Sequence, residues 1–110
     1  MLEKFDDYEI IESMRGGVGK VKIERAKNIL KNIKTYARLT LFPGSSIGFH
    51  KHECDEEIIY VLSGKGELVT SEKNVPIYQG LINTCFENEF HSIRNNSTDN
   101  LVLLAVITKC

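Results

Sequence analysis

An excess of charge of one sign is missing from this chain: 14 Lys and Arg stand against 15 Asp and Glu, a formal net charge of −1. No basic stripe is available for a phosphate backbone or an anionic membrane surface, so neither nucleic acid nor membrane is an expected partner. Long apolar runs are missing as well. The longest, Leu101 to Ile107, is too short to cross a bilayer. The opening stretch MLEKFDDYEI carries acids where a secretory leader has a basic region and an apolar core. Cysteine is scarce. Cys54, Cys85 and Cys110 form an odd, widely spaced set, which argues against a disulfide framework and leaves Cys110 as a frayed terminal residue. Together these absences predict a cytoplasmic protein. No internal repeat is visible, and 110 residues fit one domain.

What remains is a series of short apolar segments punctuated by Gly, Pro and Asn. YEIIES (8–13) and VKIER (21–25) read as strands on either side of RGGVGK (15–20), a mobile or tightly turning loop. AKNILKNIK (26–34) is the one segment with helical spacing, with Ile29, Leu30 and Ile33 on one side, and it needs docking to persist. From Thr35 onward the pattern is β: TYARLTLF (35–42), SIGFHKH (46–52), EEIIYVL (56–62), ELVTSE (67–72), VPIYQ (75–79), LINTCF (81–86), FHSIRN (90–95) and LVLLAVIT (101–108). Lys73-Asn74 reads as a hairpin turn. The last segment is apolar on both faces and is expected at the centre of a sheet or covered. Many short strands with turns between them predict a sandwich or barrel, not a doubly wound α/β fold.

Strand parity then groups the polar residues. His50 and His52 point the same way; Glu57, Ile59 and Val61 share a face; so do His91, Ile93 and Asn95. If those faces line one interior, three imidazoles and a carboxylate converge. Such a set is costly to bury unless a cation sits among it, and nitrogen and carboxylate donors suit borderline divalent metals. Glu56 is the alternative carboxylate, while Glu53 and Asp55 read as a solvated acidic loop.

The spacing from Gly44 is Gly, five residues, His50, one residue, His52, four residues, Glu57, six residues, Gly64. It resembles the first motif of the cupin superfamily. A second cupin motif maps onto Gly80, Phe86, Asn88, His91 and Asn95, with Phe86 where the family has Pro and Asn88 where it has Gly. Leu81 stands where an aspartate often follows the glycine. Asn tolerates a left-handed turn better than any other non-Gly residue, so the second departure keeps the backbone feasible. The resemblance covers residues 36 to 108. It implies an all-β jelly-roll barrel, a double-stranded β-helix, over residues 35–110, with residues 1–34 as an N-terminal arm packed on the barrel or on a partner. It also implies one divalent transition metal per chain (Mn, Fe, Ni or Zn), with His50, His52, Glu57 and His91 as its ligands.

Fold does not set function. The expected activity is that of a small metalloenzyme acting on an oxygen-rich small molecule such as a hydroxy or keto acid, a diol or a sugar, by oxygenase- or isomerase-like chemistry. The alternative is a binding or sensing module without turnover. No catalytic residue is assigned. Arg15 or Lys20 of the glycine-rich loop could meet an anionic substrate at the barrel mouth, although a flexible surface loop is the preferred reading of that segment. Tyr36, Arg38, Thr40 and Phe42 could line the pocket, with Arg38 holding a carboxylate, although the apolar set Ala37, Leu39 and Leu41 facing inward is preferred. Cys54 reads as a bystander thiol, Cys85 as an inward-facing residue. The apolar YEIIES strand predicts a homodimer.

Overall fold

The computed structural model describes residues 1–110 and is nearly all β. Ten strands form: β1 (Tyr8–Glu12), β2 (Lys20–Arg25), β3 (Ile33–Leu41), β4 (Ser46–Lys51), β5 (Glu57–Ser63), β6 (Lys65–Val69), β7 (Asn74–Tyr78), β8 (Ile82–Cys85), β9 (Phe90–Arg94) and β10 (Leu101–Thr108). They make a six-stranded sheet in the order β1-β2-β3-β10-β5-β8 and a four-stranded sheet in the order β4-β9-β6-β7. All pairings are antiparallel. No helix is long and apolar enough to cross a membrane.

The two sheets close a jelly-roll around one apolar core. Val21, Ile23, Ala37, Leu39, Leu41, Ile59, Val61, Leu101, Leu103 and Ala105 come from the large sheet; Ile47, Ile77 and Ile93 come from the small one. Alternation explains the choice: in β3 the residues Ala37, Leu39 and Leu41 are buried while Tyr36, Arg38 and Thr40 lie outward. Arg38 therefore lies away from the interior. It makes a bidentate pair with Glu24 of β2, with Nε and Nη2 donating across 2.9 Å each. β10 lies between β3 and β5, which accounts for its apolar residues on both faces.

Within residues 1–34, β1 and β2 extend the large sheet, since β2 pairs with β3 and β1 with β2. Between β1 and β2 the chain makes one 3-10 turn, Met14–Gly16, that rests on β4.

Several expectations need correction. Residues 26–34 form no helix: the chain runs through turns and enters β3 at Ile33. Leu30 is 79% exposed, so no surface receives the apolar side that a two-turn helix would need. The β6–β7 turn centres on Ser71-Glu72, two residues earlier than Lys73-Asn74, because Thr70 and Lys73 close it through Thr70 N–H to Lys73 O and Asn74 already belongs to β7. The cysteines also differ from the reading: Cys54 and Cys110 are disulfide-bonded, with Cα atoms 5.0 Å apart, and only Cys85 is free. The two lie 56 residues apart in the chain, and only the β5–β10 pairing brings them together. Cys110 is thus tethered, and the cysteine argument for a reducing compartment falls.

Candidate metal centre

The site lies between the sheets. His50 comes from β4, His52 from the residue following it, His91 from β9 and Glu57 from the first position of β5. β4 and β9 pair so that His50 stands directly opposite His91. Along β4, Ile47 faces Ile93 and His50 faces His91, three residues against two, so β4 carries one extra residue at Gly48-Phe49. This β-bulge re-aims the strand. Without it, Ile47 and His50 would point to opposite faces; with it, Ile47 is in the core, Phe49 turns out to stack on Phe90, and His50 turns in.

The ligand atoms converge tightly. The Nε2 atoms of His50, His52 and His91 lie 3.1–3.3 Å from one another. Glu57 Oε1 is 3.0 Å from the Nε2 atoms of both His52 and His91. His52, Glu57 and His91 are buried and His50 is half-buried. Glu56 points elsewhere: its carboxylate accepts the Glu87 backbone N–H at 3.2 Å.

The other face of each ring sets its tautomer. His50 Nδ1 lies 2.7 Å from the Gly48 carbonyl, His52 Nδ1 is 2.8 Å from Asp55 Oδ1, and His91 Nδ1 is 2.9 Å from Asn83 Oδ1. All three neighbours are acceptors, so each Nδ1 carries the proton and donates it. In the neutral rings every Nε2 is then a lone pair. Three lone pairs and a carboxylate oxygen face one point, an arrangement that fits a metal ion and that neutral hydrogen bonding cannot satisfy. His50, His52, Glu57 and His91 form a group that could hold a metal ion. A second proton on a ring, at Nε2, lets that ring donate to Glu57. Hydrogen bonding to Glu57 then raises the pKa of His52, whereas burial lowers that of His50. Burial pushes the Glu57 carboxyl up, but hydrogen bonds from His52 and His91 outweigh it and hold it at about 2.

Asp55 was expected in a solvated loop and is instead buried. It accepts from His52 and pairs with Lys34, which together keep its pKa low against the opposing effect of burial. Glu53 is exposed, as expected for that loop. Asn83, the acceptor behind His91, has no role in the sequence reading. Its one signal in the sequence is period-two spacing: Asn83 stands two residues from Cys85, on the same face of β8. Asn88 takes φ +71, the left-handed turn anticipated for it.

The 3-10 turn completes the pocket. Met14 and Arg15 line a cavity of about 40 Å³ together with the four candidate ligands, Leu39, Ile47, Ile59, Ile93 and Ile107. Arg15 makes no ion pair, unlike Lys20, which lies on the outside near Glu12 at 3.9 Å. Apart from the candidate ligands, Arg15 is the only titratable side chain in that lining.

A jelly-roll with a three-histidine, one-glutamate cluster between its sheets defines a cupin. The cupin domain family model matches residues 37–107, and the chain belongs to that family. It is 43% identical over 104 residues to a Thermotoga maritima protein named oxalate-binding protein, covering 90% of this chain and 84% of that one. A crystal structure described as a predicted oxalate decarboxylase from Thermotoga maritima superposes with TM-score 0.92 at 37% identity over the full length of both chains. The cupin domain of Schizosaccharomyces pombe Cnp3 shares the fold at TM-score 0.75 and 10% identity, over 93% of this chain and 69% of that one.

Proposed function

We propose that this protein holds one divalent transition metal on His50, His52, Glu57 and His91 and binds a small carboxylate such as oxalate beside it. The observation that carries the reading is the tautomer arrangement: three Nδ1–H groups are engaged by Gly48 O, Asp55 and Asn83, and the three Nε2 lone pairs share one point with Glu57. The metal would supply Lewis acidity toward a carboxylate or carbonyl oxygen. Arg15, unpaired and lining the same cavity, supplies the positive charge for the ligand's other end. The names of the Thermotoga maritima matches, an oxalate-binding protein and a predicted oxalate decarboxylase, support the choice of a dicarboxylate.

The cavity contains no free acid or base beyond the four ligands, so binding is supported ahead of chemistry that needs a separate proton acceptor. A metalloenzyme reading rests on a different observation: four protein ligands leave open positions on a metal that takes five or six. Titrating oxalate into Mn-loaded wild type and Arg15→Gln protein tests the first reading. Binding to wild type and at least tenfold weaker binding to the variant are expected; equal affinities, or binding by metal-free protein, would contradict it. Loss of oxalate during the titration would favour the enzyme.

The homodimer is proposed on the outer face of the large sheet. Tyr36, Ile58, Tyr60 and Ile82 are each more than a third exposed there, and register places them around Leu104 and Val106 of β10. A contiguous apolar face of this kind needs a partner in water, and a second copy is the simplest. Light scattering at micromolar concentration should give twice the mass of one chain, and a monomeric mass would rule the dimer out.

A further inference from the structure

The metal cavity adjoins a second and larger one. A chamber of about 410 Å³ shares Met14, Arg15, Leu39, Glu57 and Ile107 with the small cavity and continues beneath β1 and β2. Its volume falls within the range of sites that enclose whole organic ligands, roughly 300–1,000 Å³. Oxalate, two carboxylates joined directly, fills only the metal end.

The chamber's walls say what the rest would take. Ile11, Ile23, Ala37, Leu39, Ala105 and Ile107 form an aliphatic surface from four strands of the large sheet. Its polar lining consists of Ser13, Arg15, Arg25, Lys34, Thr35 and Glu57, and two of the three cations are engaged: Arg25 is paired with Glu9 and Lys34 with Asp55. Arg15 is the one cation in the lining without a partner, and it stands where the two cavities meet. A second anionic group pushed deep among those aliphatic side chains would be desolvated without a counter-charge. An alkyl chain there would instead leave water for apolar surface.

We propose that the chamber selects an acid with a polar head and an apolar tail, a 2-oxo or 2-hydroxy acid whose head meets the metal and Arg15 and whose chain of several carbons lies along Ile11, Ile23, Ala37 and Ala105. This inference rests on the reading of the metal centre and narrows its ligand class. It also gives the N-terminal segment a role in specificity, because β1 and β2 build one wall and the 3-10 turn forms the threshold.

The test is calorimetric titration of Mn-loaded protein with oxalate and with pyruvate, 2-oxobutanoate, 2-oxopentanoate and 2-oxohexanoate. Affinity should rise about threefold to fourfold with each added methylene, the factor expected when such a group leaves water. Ile11→Gln, at a half-buried position that lines only the large chamber, should reduce that gain and leave oxalate affinity unchanged. Affinity that is flat or falls along the series, with oxalate still bound, would overturn this inference alone. A protein that retains no Mn and binds neither oxalate nor any oxo acid would overturn the metal-centre reading as well.

Discussion

The backbone carbonyl of Arg15 lies 2.0 Å from where a Cβ on residue 48 would stand, so Gly48 is the residue that lets the N-terminal segment dock on the metal-bearing strand. The contact is reciprocal: a Cβ on Gly17 would meet the Ser46 carbonyl at 2.2 Å. Both obstacles are backbone atoms. Two main chains thus approach so closely that no side chain fits between them, and this brings Arg15 to the cavity.

Gly48→Ala should therefore lower stability by about 1–3 kcal/mol, as overpacking does, and weaken oxalate binding by displacing Arg15. Gly16→Ala is the comparison. Nothing lies within 4 Å of a Cβ there, so only its φ of +80° is strained, at roughly 1 kcal/mol. Urea unfolding with oxalate titration separates the two. Equal behaviour of the variants would show that the close approach does not position Arg15.

Metal retention should depend on residues that never touch the metal. Asn83→Ala removes the acceptor of His91 Nδ1–H, and Asp55→Ala removes that of His52. Each frees a ring to rotate or change tautomer and should weaken metal binding by about 10- to 100-fold, measured by competition with a chromogenic chelator. Unchanged affinity in both would mean that the rings are held by packing alone.

Part of the acid response should come from Glu24. Its carboxyl is held below the ordinary value of 4.5 by the Arg38 guanidinium, against a weaker opposing effect of burial. A depressed folded pKa means the unfolded chain binds the proton first as pH falls. The pair's contribution is complete above about pH 4.5 and declines below it. Wild type should lose more stability than Glu24→Gln between about pH 6 and about pH 3 in urea titrations. Parallel losses would remove the pair from the acid response.

Thiol titration checks the cysteine pairing. The denatured, unreduced chain should show one reactive thiol, Cys85, and three after reduction. Three before reduction would show that Cys54 and Cys110 are not joined.

Much of this molecule could be read from spacing. Period-two alternation assigned the inward faces of β3 and β5, because each strand runs straight through the core. Glu57 was separable from Glu56 by parity, and the structure brings Glu57 rather than Glu56 to the cluster. Parity could not reveal that Ile47 and His50 both face inward, since the bulge at Gly48-Phe49 exists only against β9. Asp55 looked solvated because its neighbours are acidic; its partners Lys34 and His52 lie 21 and 3 residues away and meet it only in the fold. Residues 26–34 carried a helical period with nothing to dock on. The Cys54–Cys110 pair has no local signature, because strand pairing alone joins its ends.

The most direct test is metal content. Elemental analysis of purified wild type beside the His50→Ala, His91→Ala double variant should find about one divalent transition metal per chain in the first and essentially none in the second, with both folded by circular dichroism. Equal content in the two proteins, whether full or empty, would contradict the assignment of His50, His52, Glu57 and His91 as the metal centre.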